Sequence, residues 1–191
     1  MQVGDVYKTD QGDLSIKVIL NDMEVVARFL NTGFTTLATK SNIISGKVKN
    51  KMLHTVYGVG FLGAGKHSHS SNKTAYNKWR SMLSRCYNSA DTGYNRYGER
   101  GVFVCKDWHN FQNFAEWYSG YKKKEDGWNL DKDILVKGNL EYSPDKCCIV
   151  PRQINAAVVT REASRGEYPI GVTFSKRENI FYMQVQIGQG R

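Results

Sequence analysis

The sequence predicts an α+β chain: a small N-terminal β-barrel or sheet, a central two-helix region running into a β-β-α unit, and a C-terminal β-hairpin. Between Asp13 and Val48, β-branched and aromatic residues are broken by Asn-Asp and Thr-Gly pairs, the pattern of short antiparallel strands joined by turns. Between Thr74 and Tyr121, apolar residues recur at steps of three and four, as on one buried helical face. From Trp128 onward, strand-like runs lead to a helix entered through Pro151, whose fixed φ suits a first helical position.

In order, DLSIKVILND, MEVVARFLNTG and FTTLATKSNI supply the strands of a β module over 1–50. The stretch that follows mixes glycine, serine and lysine with His54, His67 and His69 and has no periodicity, so 51–72 reads as a linker. His67 and His69 flank a serine, but no cysteine or second histidine pair stands nearby, and a flexible polar segment is expected there rather than a metal site. A domain over 73–165 comes next. In TAYNKWRSMLSRCYN, Tyr76, Trp79, Leu83 and Cys86 or Tyr87 share one face, leaving Lys78, Arg80 and Arg85 for the others. The turn-rich SADTGYNRYGERG leads to a short apolar strand, VFVC. A second helix follows, with Asp107 or Asn110 as its N-cap and Phe111, Phe114 and Trp117 or Tyr118 facing inward. Their helical spacing makes these aromatics core residues before it makes them a base-stacking platform. The run NLDKDILVKGNLEYSPDKCCIVPRQINAAVV reads as a strand, a turn at Lys137 and Gly138, a loop, a strand ending at Val150, and a helix. In the tail, 166–191, two strands flank the polar turn SKREN.

Lysine and arginine number 27 against 18 acidic residues in a chain of 191, a net charge of +9, which points to a polyanionic partner; with the sequence motifs added, that partner is expected to be double-stranded DNA. No apolar run has spanning length and no basic helix has an unbroken apolar face, which argues against a membrane. The N-terminus lacks the pattern of a signal peptide, and Cys86, Cys105, Cys147 and Cys148 read as reduced thiols of a cytoplasmic protein. Adjacent Cys147 and Cys148 form no CxxC knuckle, and strand alternation points them to opposite faces as small buried residues. For DNA contacts the candidates are Arg80 and Arg85 on the first helix, and Arg96 and Arg100, which alternate with Tyr94 and Tyr97 in a glycine-containing loop. Lys176 and Arg177 in the tail hairpin complete the set.

LDKDI, GN, YSPDKC and IVPRQIN together resemble the HNH endonuclease motif of phage homing-type enzymes. WRSMLSRCYN and YGERGVFVCKDWHNFQNFAEW are similar to the region that often precedes that motif in phage proteins. GVTFSKRENIFYMQVQI looks like the opening strands of a DNA-binding module first described in plant ethylene-response factors, cut short. The likeness runs from Tyr76 onward. It implies an HNH-like ββα unit and a bacteriophage nuclease, a metal-dependent hydrolase of DNA working in the cytoplasm of the infected bacterial host with Mg2+ or another divalent cation. By the same resemblance Asp131 is a metal-binding acid, Asn155 a second metal ligand from the helix, and Asn139 the central asparagine that buttresses the loop.

Lys132 stands where that family has its general-base histidine, and a lysine with an ordinary pKa of about 10 is charged at neutral pH and accepts no proton. Burial or a neighbouring cation could free Lys132 for the role. Alternatively Asp133, on the same strand face as Asp131, joins it in a two-carboxylate site, or Asp131, Lys132 and Asp133 are a charged strand edge. His109, at the start of the second helix, is a displaced base candidate. Three functions follow: a metal-dependent DNA endonuclease; an HNH-derived DNA-binding protein that regulates transcription without cutting; and a protein that binds and inhibits a host enzyme or defence factor.

Overall fold

A computed structural model of the chain describes residues 1–121, 127–158 and 172–183. The first strands, β1 (Val6–Tyr7), β2 (Leu14–Ile19), β3 (Glu24–Phe29) and β4 (Thr35–Thr39), pair in sequence order as one antiparallel sheet. The sheet stays open, with β1 and β4 at its edges, so it forms the sheet and not the barrel among the two expected shapes. Leu14, Ile16, Val25, Ala27 and Phe29 form its core with Ile43 of helix α1 (Lys40–Ile44). That helix replaces the end of an expected strand, because the Thr39 side chain accepts a hydrogen bond from the Asn42 amide and so caps a helical turn. Asn50 is tied back to the sheet: its amide donates to Gln11 Oε1 at 2.7 Å and its Oδ1 accepts from the Thr32 hydroxyl at 3.1 Å.

Helices α2 (Lys73–Tyr87) and α3 (Phe111–Ser119) build the second core. Trp79, Met82, Leu83 and Cys86 meet Phe111, Phe114, Ala115 and Tyr118, with Val104, Trp108 and Tyr142 packed among them. Trp79 Nε1 donates to the Trp108 carbonyl at 2.6 Å, so burial of the indole orphans no donor. Of the two candidate caps of α3, Asn110 is the one in place, its side chain accepting from the Gln112 amide at 3.0 Å.

Four short strands complete this unit: β5 (Phe103–Val104), β6 (Asn129–Asp131), β7 (Glu141–Tyr142) and β8 (Cys148–Val150). β5 runs parallel to β7, and β6 pairs antiparallel with β8. Helix α4 (Arg152–Val158) follows β8 and packs against β6. The last described strands, β9 (Val172–Ser175) and β10 (Ile180–Met183), pair antiparallel. The end of the expected tail strand, 184–187, and the stretch 159–165 lie outside the described residues. No helix among the described residues is long and apolar enough to cross a membrane.

Residues 51–72 contain no strand or helix, yet they are fastened along the central core. The Phe61 amide donates to the His109 carbonyl and the Phe111 amide to the Phe61 carbonyl, both at 2.9 Å. Gln112 Nε2 donates to the Leu62 and His67 carbonyls, each at 2.9 Å, while its Oε1 accepts from the His67 amide at 3.0 Å. A Cβ on Gly60 would lie 2.5 Å from Leu83 Cδ1 and 3.0 Å from Trp79 Cζ2, so only glycine fits there without pushing aside these buried side chains. His67, expected on a flexible stretch, instead places Nε2 2.9 Å from Glu116 Oε2 and Nδ1 3.2 Å from Asn72 Oδ1. The reason is local to α3, where Gln112 and Glu116 stand one turn apart on the same face.

All four cysteines are free, Cys86 and Cys147 buried, Cys105 and Cys148 half-buried. Burial pushes the Cys147 thiol up to about 12 and the Cys86 thiol up to about 11, from an ordinary 9.0. Since the fold accommodates the neutral thiols, their contribution to stability is present below pH 9.0 and lost as pH rises through the folded values. A thiol-reactive dye at pH about 8 is expected to label Cys105 and Cys148 well before Cys86 and Cys147. Equal labelling rates at all four would show that the core opens freely.

Candidate functional site

The polar side of α2 faces the β6 segment across a cleft of about 580 Å³. One wall is a helical stripe, Thr74, Asn77, Lys78, Ser81 and Arg85, whose steps of three and four set it on one face, away from buried Trp79, Met82 and Leu83. The other wall comes from Asn129 to Asp133, with Asn155 from α4. Tyr97 and Tyr142 complete the lining.

Asp131 ends β6, and its Oδ1 accepts from the Asp133 and Ile134 amides, both at 2.8 Å, which turns the chain sharply after the strand. Lys132 points inward and is only 7% exposed. Its ammonium donates to Asp133 Oδ1 at 2.7 Å and to the Asn139 carbonyl. Asn139, also buried, answers from the far side of the loop. Its Nδ2 donates to the Lys132 carbonyl at 3.0 Å and the Glu141 carbonyl at 2.6 Å, and its Oδ1 accepts from the Glu141 amide at 2.9 Å. Lys132 and Asn139 therefore clasp the loop shut and hold Asp131 at its mouth. Asp133 is drawn to Lys132, so it does not stand as a free second carboxylate beside Asp131. The Asn155 Oδ1 is buried and, among the described residues, takes no hydrogen bond. Leaving such an oxygen without a partner costs about 1–3 kcal/mol, so the atom calls for a donor or a cation.

On the helix wall, the Arg85 guanidinium lies 4.8 Å from the Tyr97 ring centroid and 5.7 Å from that of Tyr142, and Nη1 donates to the Tyr97 hydroxyl at 3.4 Å. Lys78 donates to the Trp128 carbonyl. Burial, and then the charge of Arg85, hold Lys78 below the usual lysine range. Burial also pushes the Tyr142 phenol well above its usual value, so it remains a donor. The side chains of Thr74, Asn77 and Ser81 make no hydrogen bond among the described residues. The wall is thus rich in unused donors.

Of the residues singled out from sequence, Asp131, Lys132, Asp133, Asn155 and Arg85 share this cleft, with Asn139 behind its loop. Arg80, Arg96 and Arg100 are exposed and outside its lining, Arg80 with its guanidinium 5.6 Å from the Tyr57 ring centroid. Arg96 and Arg100 end two consecutive tight turns, Tyr94–Arg96 and Gly98–Arg100. Lys176 and Arg177 are exposed between β9 and β10. His109 is not in the cleft: its Nε2 lies 3.1 Å from the Val104 carbonyl, and burial lowers its pKa. A ring nitrogen held on a carbonyl is a donor, and His109 stands apart from the cleft that holds Asp131, so it is not a displaced base for that carboxylate. Tyr97, in the glycine-containing loop, is half-buried because it stacks on Tyr142, ring centroids 6.4 Å apart, and on Arg85.

Sequence reasoning does not single out Thr74, Asn77, Ser81 or Tyr142. The signal that finds the first three is the polar repeat of α2 read against its apolar face. Among the described residues no group of three or more His, Cys, Asp and Glu side chains converges to hold a metal ion. No family model matches the chain, and neither a curated protein nor a solved structure matches it.

Proposed function

We propose that the chain binds double-stranded DNA and hydrolyses a phosphodiester bond in this cleft with the help of a divalent cation. The observation that carries the reading is the unpartnered, buried Asn155 Oδ1 lining the same cleft as the Asp131 carboxylate, opposite a wall of unused donors. Magnesium takes hard oxygen ligands, keeps several waters and needs only one or two protein oxygens, so Asp131 and Asn155 fit it without a third acidic ligand. When bound, the cation polarises a phosphate oxygen and acidifies water.

The chain's own residues supply the rest. The Lys132–Asn139 clasp fixes the loop that presents Asp131, so the carboxylate is positioned before substrate arrives. Arg85, held over two tyrosine rings, keeps further N–H groups for a phosphate. Thr74, Asn77 and Ser81 extend that donor track along α2. Exposed Arg80, Arg96, Arg100, Lys176 and Arg177 add sequence-independent backbone contacts. The likeness of LDKDI, YSPDKC and IVPRQIN to the HNH motif supports the same chemistry and, with it, work in a phage-infected bacterial cytoplasm.

Incubation with supercoiled DNA and Mg2+ or Mn2+ is expected to give nicked or linear product, and Asp131→Ala to abolish it. In gel shifts, affinity is expected to fall steeply as salt rises. Salt-sensitive binding with no cutting by the wild type would favour the second reading, a DNA-binding regulator without turnover. Lys132 in the base position is the observation in its favour. Neither binding nor cutting would point to a host protein partner.

A further inference from the structure

We propose that Lys78 is the proton acceptor for this cleft, activating water from the helix wall in place of the absent histidine. The inference rests on the cleavage reading above. Among the described residues, each other titratable group lining the cleft is committed elsewhere. Arg85 gives up no proton at any working pH. The Tyr142 phenol is held protonated by burial, and the Tyr97 hydroxyl takes a hydrogen bond from Arg85. Lys132 spends its ammonium on Asp133 and the Asn139 carbonyl, and Asp133 in turn holds Lys132. Asp131 gives Oδ1 to two backbone amides and is the carboxylate assigned to the cation.

Among the described residues lining the cleft, Lys78 combines a place there with uncommitted capacity. It donates to one acceptor, the Trp128 carbonyl. A neutral amine can keep that bond, hold a second N–H free and present its lone pair to a water. Desolvation and Arg85, two turns along the same helix face, both favour the neutral amine. Facing it from the other elements are Asp131, Asp133 and Lys132. The Asp133 charge is offset by Lys132 at 2.7 Å, and a cation held by Asp131 would offset the other. In the step itself the water oxygen bonds to phosphorus, its proton passes to Lys78 Nζ, and the bond from phosphorus to the leaving sugar oxygen breaks. That oxygen takes a proton from solvent and the lysine returns its own to solvent, so one water is added across one P–O bond.

The test compares wild type, Lys78→Arg and Lys78→Ala in the full chain, with circular dichroism and a gel shift at fixed salt to establish folding and binding. Arginine keeps the charge but cannot accept the proton. Lys78→Arg is expected to bind plasmid DNA like wild type and to cut it about 10²–10⁴-fold more slowly, the range for loss of a general base. The rise of the wild-type rate with pH is expected to vanish in this variant, and added ethylamine to restore cutting by Lys78→Ala. Lys78→Arg cutting within a few-fold of wild type, with the same pH profile, would overturn the proposal while leaving the cleavage reading intact, provided Asp131→Ala is dead. Wild type as inactive as Asp131→Ala would remove both.

Discussion

Trp79→Ala is expected to unfold the central domain or leave it barely folded. The indole is fully buried, with ring centroids 5.3 Å from Phe111 and 5.7 Å from Tyr76, and its N–H satisfies the Trp108 carbonyl. Truncating a core tryptophan costs about 3–5 kcal/mol, and the orphaned carbonyl adds about 1–3 kcal/mol. Against a typical margin of about 5–15 kcal/mol for a whole domain, little or nothing is left. Urea denaturation followed by far-ultraviolet circular dichroism measures this. A loss below about 1 kcal/mol would mean that the core is not organised around this ring. Trp79→Phe keeps most of the packing and drops only the donor, so its cost should fall well short of the alanine variant.

The second large effect is expected at the clasp. Asn139→Ala removes three hydrogen bonds at once, to the Lys132 carbonyl and to both the carbonyl and the amide of Glu141, in a buried position. At about 1 kcal/mol for each bond, the loss is on the order of 3 kcal/mol, with cutting lost as the Asp131 loop loosens. Lys132→His is the sharper variant, because it installs the residue that the HNH resemblance places there. An imidazole cannot replace an ammonium that reaches both Asp133 Oδ1 and the Asn139 carbonyl. The expected result is a lower melting temperature and no gain in cleavage. A Lys132→His protein that melts like wild type and cuts faster would assign this position to proton transfer after all.

Where a property depends on neighbours along the chain, it was legible beforehand. Trp79, Leu83 and Cys86 announce the buried face of α2 by spacing, and Phe111 and Phe114 do so for α3. The N-terminal strands follow from their turns, but whether β1 closes on β4 is a matter of curvature that no local pattern states. The parallel pairing of Phe103 with Glu141 joins segments far apart in sequence, and nothing in VFVC names its partner. In the site, Asp131, Lys132, Asp133 and Asn155 were visible through the HNH-like pattern. The inward turn of Lys132 was not, because it is decided by Asn139 across the loop, whereas the sequence shows three alternating charges on a strand edge. Thr74, Asn77 and Ser81 escaped for a different reason. A polar helix face reads the same whether it meets bulk water or the wall of a cleft.

Gly60 sets where this chain can be divided and rejoined. Since a methyl group there would strike Leu83 and Trp79, the backbone arriving from the N-terminal sheet already forms part of the wall of the central unit. Asn50, bonded to Gln11 and Thr32, still belongs to the sheet. The joint is therefore the few residues between Asn50 and Val56, and even these are tied forward, the Lys51 carbonyl accepting from the Gly63 amide at 2.8 Å and the His54 ring stacking on Phe61 at 4.9 Å; it is not the long polar run down to Asn72. A recombination event, or a protein engineer, that grafted a different head onto this body would find a narrow seam there, and a scar placed downstream of it would cut into the body itself.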